Sequence, residues 1–118
     1  MSEPIGRTGR GAQVRSRRPL LTAALGFARV RADTPELRPL HAWLDSWRGI
    51  GAIAVGMARQ GYDLQLTEYA GQNWRANFYP APIAHSVVVA SAWESTPWRA
   101  VQRAAWETLR AMDRQEAA

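Results

Sequence analysis

Tyr62-Asp63-Leu64-Gln65-Leu66-Thr67-Glu68-Tyr69-Ala70-Gly71-Gln72-Asn73-Trp74-Arg75-Ala76-Asn77-Phe78-Tyr79-Pro80 is the stretch that decides the fold. Tyr62, Leu64 and Leu66 alternate with Asp63, Gln65 and Thr67, the period-two pattern of a half-buried strand. Ala70-Gly71-Gln72-Asn73 reads as a turn. Beyond it Trp74, Ala76 and Phe78 alternate with Arg75, Asn77 and Tyr79. Pro80-Ala81-Pro82 ends the second strand, because proline has no N–H for the ladder. Ser86–Trp93, with Val87, Val88 and Val89, reads as a third strand. The result is an antiparallel meander with one face covered. The other face carries Gln65, Thr67, Tyr69, Arg75, Asn77 and Tyr79.

Helical patterns flank the meander on both sides. Upstream, Leu37, Leu40, Trp43, Leu44 and Trp47 recur at helical spacing, and Ile50, Ala54 and Met57 extend the stripe. Thr34 is a good N-cap and Pro35 suits the first helical position. Gly49, Gly51 and Gly56 weaken the helix, by ~1 kcal/mol each relative to alanine. The expectation is a helix in two parts, 35–48 and 50–60, bent near Gly49, with Gly61 as its C-terminal cap. Downstream, Thr96-Pro97 opens a last helix that runs to about Met112. At 100° per residue its core face holds Val101, Ala104, Ala105, Thr108, Leu109 and Met112. Arg99, Arg103, Arg110 and Arg114 share the opposite side, with Trp106 at its edge.

The fold class is therefore α+β, a three-stranded antiparallel meander packed on helices, in the order α(α)-β-β-β-α. Residues 35–114 form the domain and 115–118 a tail. In the segment 19–34, residues 19–32 fit a short helix or an edge strand. They should dock on the domain, since Leu20, Leu21, Leu25, Phe27 and Val30 are costly to leave in water.

Residues 1–18 are rich in Gly, Ser and Arg and hold few apolar side chains. They are expected to be a disordered basic arm. Charge divides along the same line. The chain carries +5 overall, and all fifteen basic residues are Arg. Residues 1–31 hold seven Arg against Glu3, whereas 32–118 hold eight Arg against nine acids. Arginine forks phosphate and stacks on bases better than lysine.

The last helix carries a resemblance. Ala100-x-x-x-Ala104-Ala105-x-x-x-Leu109 resembles the core pattern of the second helix of the double-stranded RNA-binding domain, and the α-β-β-β-α order is that family's order. The likeness spans roughly residues 35–112. It implies the family's fold, and it implies that the start of the last helix grips phosphate. The aligned stretch Pro97-Trp98-Arg99-Ala100-Val101 supplies one cation there, Arg99. The chain also resembles a group of short bacterial proteins with a Leu-Thr-Ala-Ala-Leu-Gly-Phe-Ala-Arg-Val-Arg start and a Trp-Leu-Asp-Ser-Trp segment, here 21–31 and 43–47. That likeness implies no particular activity.

Several chemistries lack their residues. With no cysteine there is no thiolate ligand and no thiol nucleophile. His41 and His85 have no paired spacing, and His41 with Asp45 one turn later reads as a surface pair. No Gly-x-x-x-x-Gly-Lys loop or Gly-x-Ser-x-Gly elbow occurs. No metal, cofactor or catalytic residue is expected. No run of 18 apolar residues occurs, so no membrane span is expected. Ser16-Arg17-Arg18-Pro19-Leu20-Leu21 loosely resembles a twin-arginine export signal, but Arg29 and Arg31 interrupt the cleavage region, and a cytoplasmic location is expected.

The expected activity is non-catalytic binding of nucleic acid through Arg7, Arg10, Arg15, Arg17 and Arg18 of the arm, with Arg99, Arg103 and Arg110 of the last helix. The alternative is a protein-binding accessory or inhibitor of the kind phages and mobile elements carry. It would act through Arg75, Asn77 and Tyr79 on the sheet, with Trp98 and Trp106. The valine-rich third strand is an edge that could pair with another copy, which leaves a monomer or a homodimer.

Overall fold

A computed structural model of the chain describes residues 18–30, 34–81 and 88–117. Its helices are α1 (18–29), α2 (Arg38–Leu44), α3 (Trp47–Arg59) and α4 (Pro97–Ala117); its strands are β1 (Tyr62–Tyr69), β2 (Asn73–Pro80) and β3 (Ala90–Glu94). The strands form one antiparallel sheet in the order β1-β2-β3. This is the expected α+β meander, with α3 and α4 packed on it.

The register follows the alternation read from the sequence. Leu64 faces Phe78, Leu66 faces Ala76, and Ala76 faces Ala92. These residues point to the helices. Phe78, Ala76 and Ala92 are buried in one core with Ile53 and Met57 of α3 and with Val101, Ala104, Ala105 and Leu109 of α4. Burying side chains of this size contributes roughly 1.5–3 kcal/mol each. On α4, Thr108 sits in the apolar face because its hydroxyl donates to the Ala104 carbonyl at 2.8 Å, which satisfies the one polar atom it brings.

The segment 18–29 is a helix, not an edge strand. Leu21, Leu25 and Ala28 lie on one face, and Leu25 and Ala28 are fully buried. Two glycines allow the close approach: Leu21 lies over Gly56 of α3, and Gly26 lies under the Trp106 ring of α4. α1 therefore docks on α3 and α4.

The helix before the meander starts and breaks elsewhere than its spacing implies. Residues 35–37 form a turn in which the Thr34 carbonyl accepts from the N–H groups of Leu37 and Arg38, each at 3.1 Å. Pro39 has no N–H to give to the Pro35 carbonyl, so a regular helix can hold it only in its first turn. The start is accordingly Arg38 rather than Pro35. The break comes at Asp45–Ser46, ahead of Gly49. Ser46 is extended (φ −158°, ψ 166°) and its hydroxyl accepts from the Gly49 N–H at 3.1 Å, capping α3. The same hydroxyl donates to the Trp43 carbonyl, so one side chain ties both helix ends. Gly49 matters for a different reason. A Cβ there would lie 2.5 Å from the carbonyl oxygens of Trp43 and Leu44.

At its far end α3 closes as expected, with Gln60 as C-cap and Gly61 beyond it at φ +95°, a conformation that favours glycine. The third strand is shifted. It covers Ala90–Glu94, and Val88 and Val89 precede it. Residues 82–87, which include Ser86 and Val87, lie outside the described residues. Continuing the register would set Val88 opposite Pro80, which offers no N–H, so the paired segment lies further along the chain. β3 occupies a sheet edge, as expected. α4 outruns the expected Met112 and reaches Ala117. Thr96 caps it, its hydroxyl accepting from the Arg99 N–H at 3.4 Å.

Candidate nucleic-acid interface

α4 brings its arginines to the side opposite the core, and α1 adds one more. Leu25 and Ala28 turn inward from α1, which leaves Arg29 exposed beside α4. The Arg29 guanidinium lies 5.6 Å from the centroid of the Trp106 ring, and the Arg110 guanidinium lies at the same distance. Each such contact stabilises by about 0.5–1 kcal/mol at an exposed site. Their larger effect is to hold two long side chains over one ring that is itself fixed by packing against Gly26.

One and two helical turns back from Trp106 along α4 lie Arg103 and Arg99, both exposed. Arg103 donates to Glu94 of β3 at 3.0 Å. With Ala28, Arg29 and Gln102 these residues line an open cleft of about 200 Å³. Gln102 is buried, and its amide donates to the Leu44 carbonyl at 3.0 Å and to the Asp45 carboxylate at 2.8 Å. That pins α4 to the α2–α3 break and fixes the height at which Arg99 and Arg103 stand. It also engages Asp45, the carboxylate one turn from His41. Further along, a hollow of about 440 Å³ between β3 and α4 is lined by Arg103, Glu107 and Arg114. The whole face carries Arg29, Arg99, Arg103, Arg110 and Arg114 against Glu94, Glu107 and Asp113, an excess of two positive charges.

The expected interface residues divide accordingly. Arg99, Arg103 and Arg110 share this face. Arg18 is half-buried at the start of α1. Arg7, Arg10, Arg15 and Arg17 lie outside the described residues. Arg29 is the residue the sequence reading misses. The signal for it is the spacing of Leu21, Leu25 and Ala28, which makes 18–29 a helix and Arg29 the flank of its buried face. Glu94 is missed too, because it reaches α4 from a strand.

The outer face of the sheet differs from expectation. Asn77 is 5% exposed and Tyr79 8%, so neither is offered to a partner. Asn77 stands on the central strand between Gln65 and Ser91, and its side-chain amide donates to Gln65 Oε1 at 3.1 Å. Neighbours on both sides bury a central-strand side chain in a way that alternation alone does not reveal. Arg75 is half-buried, donates to the Ser91 hydroxyl at 3.2 Å, and lies 5.5 Å from the Trp93 ring. Trp93 is exposed and touches Tyr69, with centroids 4.8 Å apart.

Trp98 and Trp106 are both half-buried and packed against the core. Trp98 belongs to a cluster in which Trp47 meets Trp74 at 5.8 Å and Trp98 at 6.4 Å, both edge-on. Edge-on pairs of this kind add roughly 0.5–1.5 kcal/mol beyond burial. They close the end of the domain where α3, β2 and α4 begin.

Among the described residues no three His, Asp or Glu side chains converge as metal ligands, and no helix is long and apolar enough to cross a membrane. In comparison with known proteins, no family model, curated protein or solved structure matches this chain.

Proposed function

We propose that this chain is a non-catalytic nucleic-acid-binding protein that tracks a phosphate backbone along the α1/α4 face. The observation that carries the reading is the Arg29–Trp106–Arg110 group, two cations held over one ring, with Arg99 and Arg103 beside it. Held side chains lose less freedom on binding than free ones. The face is compensated only in part by acids. Arg7, Arg10, Arg15 and Arg17 of the basic arm would add positive charge to the same binding. The resemblance of Ala100-x-x-x-Ala104-Ala105-x-x-x-Leu109 to the double-stranded RNA-binding domain points the same way.

The test is a titration of labelled duplex RNA, duplex DNA and single strands with the full chain, at about 50 and 200 mM salt. The log of the binding constant should fall with log salt by about 0.7–0.9 for each phosphate neutralised. A flat dependence, or no binding, would sink the proposal.

A second reading has its own observation. Tyr69, Trp93 and Arg75 form an exposed aromatic group on the sheet, and such groups serve as protein-binding hot spots. A protein-binding accessory acting there would bind its partner regardless of salt and of the α4 arginines.

A further inference from the structure

We propose that the cleft between the C-terminal end of α1 and the first turns of α4 is a site for a dianionic phosphate monoester, carried by a strand end or by a free nucleotide. The proposal rests on the nucleic-acid reading and narrows it.

Charge is the first argument. Arg29, Arg99 and Arg103 line the cleft with Glu94, so its walls carry a net charge of +2. A phosphate monoester carries about −1.5 to −2 at neutral pH. A diester inside a strand carries a single negative charge, so a monoester matches the cleft and a diester leaves a positive charge over.

The donors are the second argument. Each guanidinium has five N–H groups. Arg103 spends one on Glu94, which holds its fork in place and leaves the others. Arg29 lies over the Trp106 ring, 5.6 Å from its centroid, and its side chain is exposed. Arg99 is exposed in the first turn of the 21-residue α4, where the positive end of the helix adds to its field. Guanidinium forks from two helices, Arg29 of α1 and Arg99 and Arg103 of α4, supply enough donors for three terminal oxygens.

Size is the third argument. The cleft measures about 200 Å³ and is open to solvent. A monoester enters it with its single ester bond pointing out. A diester has to leave by two bonds.

The test compares 3′-labelled single strands bearing a 5′-phosphate or a 5′-hydroxyl, bound to the full chain at about pH 7.5. The phosphorylated strand should bind about tenfold more tightly. That ratio should shrink near pH 5.5, because the second phosphate proton binds with a pKa of about 6. Arg99→Gln should bring the ratio to about one. Glu94→Gln should raise affinity for the phosphorylated strand about threefold, a gain that misfolding cannot imitate. A 5′-mononucleotide that displaces the phosphorylated strand at equal concentration assigns the site to free nucleotides; one that displaces it only in large excess assigns it to strand ends. Tight, salt-steep binding that is equal for both strands overturns the monoester site and leaves the nucleic-acid reading standing. Absence of binding by either strand overturns both.

Discussion

Two tryptophans on this domain each carry an arginine over the ring, and their settings differ. Trp93 stands on the outer face of the sheet, 47% exposed, with Arg75 beside it. Arg75 is half-buried and bonded to Ser91, and the only other charge on that face of the strands is Asp63, so the face is neutral. Trp106 stands between α1 and α4, half-buried, with Arg29 and Arg110 over it and Arg103 and Arg99 one and two turns away. The same pair of residue types thus builds two surfaces. An arginine on a tryptophan does not by itself mark a nucleic-acid site. What separates the two surfaces is uncompensated charge, together with how far each ring is built into the core.

The comparison can be broken by removing each ring. Trp106→Ala should cost roughly 2–4 kcal/mol in denaturant unfolding, because it empties the space between Gly26 and α4. Trp93→Ala should cost less than about 1 kcal/mol, since its ring is exposed and loses mainly the contacts to Tyr69 and Arg75. Equal losses would mean that the two rings are held alike.

The charge half of the comparison is tested by the arginines. Arg29→Gln with Arg110→Gln in the full chain should weaken single-strand binding by about 10–100-fold and lower the salt slope by about one to two. Arg75→Gln should change affinity less than about twofold. The reverse pattern would move the interface to the sheet and favour the protein-binding or stacking reading.

Gln102→Met leaves the helix face chemically intact but removes the two bonds that set the height of α4. It should destabilise the domain by about 1–2 kcal/mol, because the Leu44 carbonyl loses a buried partner. The smallest effect is expected for Arg103→Gln, which removes the exposed pair with Glu94 and should cost under about 1 kcal/mol of stability in thermal or denaturant unfolding.

The sequence made the meander and α4 legible for simple reasons. Strand alternation fixes which side chains face the helices, and a one-residue slip would reverse all of them. Leu64, Leu66, Ala76 and Phe78 therefore announce their own register. On α4, small residues at Ala100, Ala104 and Ala105 mark the face that lies close to the sheet, and the arginines fall opposite by elimination. Four of the five arginines of the candidate interface, Arg99, Arg103, Arg110 and Arg114, were readable in this way. Arg29 was not, because 19–32 fits a strand period through Phe27 and Arg29 and a helical period through Leu21, Leu25 and Ala28. Only neighbours break that tie: Gly56 accepts Leu21, and Gly26 accepts the Trp106 ring.

The sequence by itself determined what depends on local period and local chemistry. That covers the α-β-β-β-α order, the two inward faces, the glycine after α3, and the division of charge between arm and domain. The tertiary structure decided what depends on residues far apart in the chain. Gly49 looked like a bend and proved to be the place where the carbonyls of Trp43 and Leu44 pass, with Ser46 making the break. Asn77 and Tyr79 looked exposed by alternation and are buried by their position on the central strand. Glu94 looked unremarkable and holds Arg103 across the edge of the sheet. Each of these is a contact between elements, and a linear pattern carries the period of a chain but not the identity of what packs against it.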